Sequence, residues 1–388
     1  MYVEGLRPVW AEVNLDILAK NIREVKRITR NGTLIMAVVK GNAYGHGAVP
    51  ASRAFLDNGG DRLGVATATE GIELRQSGID VPILNLGYTP ENQYELLLDN
   101  DISATIYNYA QAVSLNDVAT SKGKKVKIHI KLDTGLGRIG FLPHDDAIGA
   151  ITEISMLSNL QLEGVFTHFA ASDQIDKTYT HRQYKLFTWV IDELEKKSVE
   201  IPLKHVSNSA AIIDLPEYDL DMVRPGIILY GYKPYREVDL GDVTLKPALT
   251  LKARLSNVKK VPSGFDIGYG LTFKTQRPSV IGTIPIGYAD GFMRTLSNKG
   301  WIGVRGMKAD MVGRICMDQC MVDLTDHSSA EIGDEVIVFG GNGAQTAEDM
   351  ADMIGTIVDE VICAISRRVP RVYIKGGKVV EVKDYLLC

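Results

Sequence analysis

Between residues 35 and 227 the chain returns eight times to a short apolar run, at 35–40, 63–67, 82–87, 102–107, 126–132, 162–168, 204–208 and 222–227. Runs of that length, apolar throughout rather than alternating, read as strands buried on both faces. Most are separated by amphipathic stretches; in the longest, Leu186, Phe187, Val190, Ile191 and Leu194 share one helical face. Asn14 can cap a first helix whose Leu15, Leu18, Ile22 and Val25 recur at helical spacing, ending before Asn31-Gly32. Buried strands alternating with helices over about 220 residues predict an α/β fold, a (β/α)8 barrel of the TIM type rather than an open sheet.

Past Tyr230 the texture changes. Strand-like runs at 249–258, 280–286, 311–315 and 335–340 are separated by turns, then come a helix-like stretch at 346–366 and a hairpin around Gly376-Gly377. These predict a barrel domain over 10–240 and a mostly β domain over 241–388, with residues 1–9 packed on the latter.

In a barrel the carboxyl ends of the strands converge on one mouth, and there this chain places its polar residues. Lys40 ends the first run and is followed by the glycine-punctuated Gly41-Asn42-Ala43-Tyr44-Gly45-His46-Gly47. A lysine so placed either snorkels to solvent or serves as a reactive amine, and the spacing alone leaves both open. Lys131 to Arg138 end the fifth run, His168 the sixth, Asn208-Ser209 the seventh and Arg224-Pro225-Gly226 the eighth. Such cations converging with serine and glycine suit an anionic, phosphorylated ligand, for which Ser209 and the N–H groups near Gly226-Ile227 are natural donors. Gly135-Leu136-Gly137-Arg138-Ile139-Gly140 matches a dinucleotide fingerprint, but it falls in the fifth unit and runs into Phe141-Leu142-Pro143 instead of a long helix. In the second domain, Asp266-Ile267-Gly268-Tyr269-Gly270 sets a tyrosine between glycines, and Val312–Cys320 is dense in polar residues.

The formal net charge of −5, with basic residues clustered only at Lys122-Gly123-Lys124-Lys125, argues against nucleic-acid partners. Cys316, Cys320, Cys363 and Cys388 lack metal-site spacing and read as free thiols of a reducing compartment. No leader pattern opens the chain and no run is long enough to span a bilayer, so a cytoplasmic location is expected, with no membrane partner and no bound metal.

Taken together these residues resemble the bacterial alanine racemases, enzymes of pyridoxal 5'-phosphate (PLP) built as a barrel followed by a β domain. The resemblance runs from Trp10-Ala11-Glu12-Val13-Asn14-Leu15-Asp16 to Val369-Pro370-Arg371. It is most specific in Ala37–Gly47, in Ile284-Pro285-Ile286-Gly287-Tyr288-Ala289-Asp290-Gly291 and in the 313–319 stretch. It implies that Lys40 carries PLP and is the base on one face of alanine, with Tyr269 from the other subunit of a homodimer as the opposing base. It further implies that Arg224 faces the pyridine nitrogen, that His168 pairs with Arg224 and assists Tyr269, and that Tyr44 and Ser209 hold the phosphate. Arg138 then contacts the PLP ring oxygen and the substrate carboxylate, held by a Lys131 that is often carbamylated in this family, while Met317, through its backbone N–H, and Asp318 complete the substrate side from the partner chain. The implied activity is interconversion of L- and D-alanine, supplying D-alanine for peptidoglycan. Two departures stand out. Arg367 replaces a tyrosine common in the family, one that binds phosphate and narrows the entrance, and Gly268 stands where serine often precedes the tyrosine. A PLP decarboxylase on a related barrel and a PLP-binding carrier are the competing readings.

Overall fold

The computed structural model describes residues 5–327 and 329–387. Residues 1–4 of the amino-terminal segment and Cys388 lie outside that range. The chain divides into two compact units: one holds Leu18–Ala43 and Ala48–Lys246, the other the described residues up to Ile17, the tetrapeptide Tyr44–Gly47 and the chain from Pro247 onward.

The first unit is the expected barrel. Its strands, Leu34–Val38, Arg62–Val65, Ile83–Asn85, Ile102–Ile106, Val126–Lys131, Leu160–Phe166, Leu203–His205 and Met222–Val223, form one eight-stranded sheet. All pairings are parallel, each strand lies beside its successor through the seventh, and the first also pairs with the eighth. The seventh and eighth close the ring: the Asp221 N–H donates to Lys204 O at 3.1 Å and the Arg224 N–H to Ser207 O at 3.0 Å.

Local chemistry sets the surrounding helices. Thr67, Asn108 and Asn208 each end a strand-to-helix loop and accept an N–H of the first turn, at 3.3, 2.8 and 3.1 Å from Glu70, Gln111 and Ala211. Such a cap stabilises a helix by about 1 kcal/mol. The helix Thr178–Lys196 buries Phe187, Val190, Ile191 and Leu194 as its periodicity predicts; each such side chain withdrawn from water contributes roughly 1.5–3 kcal/mol.

The second unit is mostly β. Its seven-stranded sheet runs in the order Met307–Asp310, Trp301–Val304, Glu335–Phe339, Leu249–Arg254, Val9–Asn14, Arg371–Lys375, Lys378–Lys383. The Trp10 segment therefore pairs with Leu249–Arg254 and Arg371–Lys375, two strands far away in sequence. A three-stranded sheet joins Asn257–Val261, Ser279–Ile284 and Cys320–Asp323, and a short hairpin, Asp266–Ile267 with Phe273–Lys274, carries Tyr269 at its tip. Gly376 and Gly377, with φ of 57° and 72°, form the turn of the final hairpin.

Two expectations for this unit need correction. Residues 311–315 form no strand: only Met311 makes an isolated bridge, to Val322, and the chain beyond it is loop. The stretch 346–366 is two helices, Ala347–Ile354 and Val358–Cys363, broken where Gly355 takes a left-handed φ of 72°.

Candidate active site

Lys40 follows the first barrel strand, whose extension is tied on both sides: the Val38 N–H donates to Pro225 O at 3.1 Å and the Val39 N–H to Gly64 O at 2.9 Å. Directly after it the backbone winds left-handed, with φ of 62°, 54° and 53° at Gly41, Asn42 and Ala43 and 51° at Tyr44. Glycine and asparagine tolerate this conformation; for alanine and tyrosine it costs about 1–2 kcal/mol per residue. Side chains hold the turn. Glu70 accepts the Gly41 N–H at 2.7 Å and the Ala66 N–H at 2.8 Å, and Asn42 Oδ1 accepts the Ala48 N–H at 2.9 Å. Strain kept by such explicit bonding is the mark of a functional loop.

Lys131, His168 and Arg224 gather at the same strand ends. Arg224 is buried and both its terminal nitrogens are engaged: Nη1 donates to His205 O at 2.8 Å and to His205 Nδ1 at 2.9 Å, and Nη2 to Thr167 O at 2.7 Å and Val206 O at 3.1 Å. His168 Nδ1 lies 3.5 Å from Nη2. Burial, with Arg138 adding repulsion, pushes Arg224 down to about 9, which leaves it protonated at neutral pH. Burial pushes His168 well below the ordinary histidine value, and Arg224, Arg138, Lys131 and Lys40 push in the same direction, so its ring is neutral. Lys131 is buried and donates to Leu132 O at 2.6 Å; burial first, then Arg224, brings its ammonium down to about 7. Lys40, Lys131, Arg138 and Arg224 thus all act on the neutral ring of His168, which places these four side chains close enough to couple electrostatically.

The glycine-rich loop after the fifth strand has a different use from nucleotide binding. Asp133 Oδ1 accepts the N–H groups of Gly135 and Gly137 at 3.0 Å each, and Oδ2 that of Arg138 at 2.9 Å. A Cβ on Gly140, whose φ is 142°, would lie 2.3 Å from Asp133 N. The glycines let the loop wrap the Asp133 carboxylate and present Arg138, which is exposed. Across the mouth, the seventh and eighth strand ends are joined where Ser209 Oγ accepts the Gly226 N–H at 2.9 Å. Asn208 is occupied in capping and in accepting from Ser172 at 2.9 Å, and Ile227 opens the turn Ile227–Tyr230.

Tyr44, Tyr269, Met317 and Asp318 belong to the second unit. Tyr269 is 70% exposed at the hairpin tip, beside a cleft of about 350 Å³ lined by Lys259, Phe265, Asp266, Cys316 and Met321 among others. Gly268, at φ 74° and ψ 179°, occupies a conformation that a serine would enter only with strain. The Gly287 and Met317 motifs prove to be one structure. The Ala289 N–H donates to Met317 O at 3.0 Å and the Tyr288 N–H to Cys316 O at 3.2 Å, while a Cβ on Gly287 would lie 2.3 Å from both carbonyl oxygens. Buried Asp290 accepts from Gly287 N–H at 3.1 Å and from Arg7 Nη2 at 2.9 Å, and Arg368 Nη2 donates to Asp318 at 2.8 Å. Arg367 lies with its guanidinium over the Tyr385 ring, 5.7 Å from the centroid.

Arg62, His129, Glu163 and His205 went unnoticed in the sequence. From Arg224 a line of bonds continues inward, His205 Nε2 to His129 Nδ1 at 2.9 Å, His129 Nε2 to Glu163 Oε2 at 3.0 Å, and Arg62 Nη1 to Glu163 Oε1 at 2.9 Å. A signal was present: Lys127, His129 and Lys131 alternate through an otherwise apolar strand, which puts His129 on the face that carries Lys131.

Comparison with known proteins gives this site its family. Residues 13–234 match the alanine racemase N-terminal domain and residues 248–373 the alanine racemase C-terminal domain. Alanine racemase 1 of Clostridium acetobutylicum is 48% identical over 98% of this chain and 99% of its own length, and the Clostridium perfringens (strain SM101) enzyme is 50% identical with the same coverage. The solved alanine racemase of Clostridium difficile 630 superposes with a TM-score of 0.95 at 44% identity, covering 98% of this chain and 99% of that one. That of Bacillus anthracis superposes with a TM-score of 0.94 at 35% identity, covering 99% and 100%. With both domains matched in order and the barrel and β unit in place, the chain belongs to the alanine racemase family.

Proposed function

We propose that this enzyme interconverts L-alanine and D-alanine with PLP by a two-base mechanism, as a cytoplasmic homodimer that supplies D-alanine for peptidoglycan. The observation that carries the reading is the set of basic side chains Lys40, Lys131, Arg138 and Arg224 around a neutral His168 at the barrel mouth, in a chain similar to alanine racemases over nearly its full length. The donor set fits the cofactor: an amine at a strained strand end, a guanidinium that stays protonated, and at Ser209 a hydroxyl that accepts the Gly226 N–H and can donate its own proton to phosphate.

PLP, when bound, supplies an electron-withdrawing ring that stabilises the charge left at Cα when its proton departs. Lys40 would hold the cofactor through Nζ, Tyr44, Ser209 and the Gly226-Ile227 backbone would take its phosphate, and Arg224 would face its ring nitrogen. A guanidinium that keeps its own protons cannot protonate that nitrogen, so charge would stay near Cα and competing transamination would be discouraged. Racemisation then needs a base on each face, one to remove the Cα proton and one to return it. Lys40 serves one face and Tyr269 of the partner subunit the other. Arg138 takes the substrate carboxylate, steadied by Lys131 in its carbamylated form, and Met317 and Asp318 of the partner subunit complete the substrate side. The barrel unit thus acts as the cofactor domain, with Tyr44 contributed by the mostly β unit, and the β unit acts as the donor of partner groups. The exposure of Tyr269 agrees with a side chain that works on another subunit.

Mixing Lys40→Ala and Tyr269→Phe subunits tests the shared site. Each homodimer should fall by about 10²–10⁴-fold in racemisation of L-alanine followed by loss of optical rotation, and mixed dimers should recover a measurable fraction. Verified mixed dimers without recovery would refute the shared site, and release of carbon dioxide and an amine would identify a decarboxylase instead.

A further inference from the structure

The line of bonds behind Arg224 has only one possible direction. Glu163 is an acceptor: although its burial works to raise it, the bonds from His129 and Arg62 bring its carboxyl down to about 2. Burial lowers both His129 and His205, so each ring is neutral and carries a single N–H. Facing a carboxylate, His129 must bear its proton on Nε2, which leaves Nδ1 as an acceptor. His205 must then donate from Nε2, which leaves its Nδ1 with a lone pair. That lone pair meets Arg224 Nη1, a group that can only donate.

The barrel is built to admit this line. In the pairing of the fifth and sixth strands the register shifts between Ile128 and His129: Ile128 lies opposite Leu162 and His129 opposite Gly164, so Glu163 is the extra residue of a β-bulge. Bulges re-aim side chains next to active sites. At Gly164 a Cβ would lie 2.3 Å from His129 Nδ1, so only glycine leaves room for the ring. His205 is held flat on Phe166, with ring centroids 4.9 Å apart and planes 5° from parallel. Neither bulge nor glycine is needed for an apolar barrel core.

We propose that Glu163 is a positioning residue: acting through His129 and His205, it fixes the tautomer that presents an acceptor to Arg224, and so holds that guanidinium in place against the ring nitrogen of PLP. This rests on the reading of Arg224 as the residue facing that nitrogen. Removing the carboxylate charge frees both histidines to reverse, and a reversed His205 turns an N–H against an N–H of Arg224.

The test compares full-length wild type, E163Q and R62M with PLP added. Arg62→Met removes the outer ion pair of Glu163 and leaves the inner line intact. Ring ¹⁵N NMR should find His129 and His205 of the wild type and R62M as single Nε2–H tautomers, and a mixture in E163Q. In E163Q the absorption band of bound PLP should shift, PLP affinity should drop about tenfold, as for loss of one hydrogen bond to a charged group, and a larger share of turnovers should release pyruvate. R62M should match the wild type in all three. An E163Q enzyme with wild-type tautomers, spectrum and pyruvate share overturns the proposal, as does R62M behaving like E163Q. If E163Q does not fold, a wild-type His205 protonated on Nδ1 overturns it and the Nε2–H form supports it. Wild type that binds no PLP defeats the functional reading instead, and the tautomers still decide the relay.

Discussion

The backbone N–H of Arg138 is bonded to the carboxylate of Asp133 at 2.9 Å, so the residue assigned to the substrate carboxylate is placed by a buried acid five positions earlier. Burial works to raise Asp133, but the N–H groups of Gly137, Gly135 and Arg138 outweigh it and hold the carboxyl below 3.8. A depressed carboxylate contributes stability that is present above its unfolded pKa and lost as pH falls through the folded one. Asp133→Asn removes that charge and one acceptor oxygen. It should cost about 1–3 kcal/mol in urea unfolding at pH 7, with the gap from wild type narrowing below pH 3.8. KM for alanine should rise more than kcat falls.

A lysine adds carbon dioxide only as a neutral amine, and the Lys131 ammonium, brought down to about 7, supplies that form at physiological pH. Carbamylation should therefore be extensive at pH 8 and lost below pH 7. Enzyme held in CO2-free buffer at pH 6 should show weakened alanine binding that bicarbonate restores at pH 8. Lys131→Met should be insensitive to bicarbonate.

The approach of Gly287 to the Cys316 and Met317 carbonyls leaves no space for a methyl group. Its φ of −153° is extended backbone open to any residue, so the constraint is steric alone. Gly287→Ala should destabilise the fold by about 3 kcal/mol through overpacking. A drop in thermal midpoint together with a raised KM for alanine would show that the 316–318 loop has shifted.

Restoring the common family serine through Gly268→Ser should not tighten Tyr269. At φ 74° the serine backbone is strained by about 1–3 kcal/mol, and its Cβ would lie 3.0 Å from Met321 Cε and 3.1 Å from Arg314 N. We expect lower stability and a kcat no higher than wild type. A gain in both would mean that the loop relaxes to another conformation.

The barrel was legible because its signals are local. A fully buried strand reads as an apolar run and an amphipathic helix as a 3.6-residue repeat, and the capping of Leu15–Ile28 by Asn14, whose Oδ1 accepts the Ile17 N–H at 3.0 Å, is written in consecutive residues. Lys40, Lys131, His168 and Arg224 could be grouped because every strand of a parallel barrel ends at one mouth, so position along the strand stands in for position in space. The 311–315 run misled because apolar residues beside a glycine serve a packed loop as well as a strand.

What the sequence determined alone, then, is which residues end strands and which chemistry they bring: an amine at 40, cations at 131, 138 and 224, a tyrosine between glycines at 269. Tertiary structure alone decided what lies behind them. Glu163 reaches His129 only because one extra residue bulges the sixth strand, and His129 fits only because residue 164 lacks a side chain. Those are relations across a strand pair, between residues 34 and 35 positions apart. Register and close approach are properties of two segments together, and no periodicity within either one encodes them.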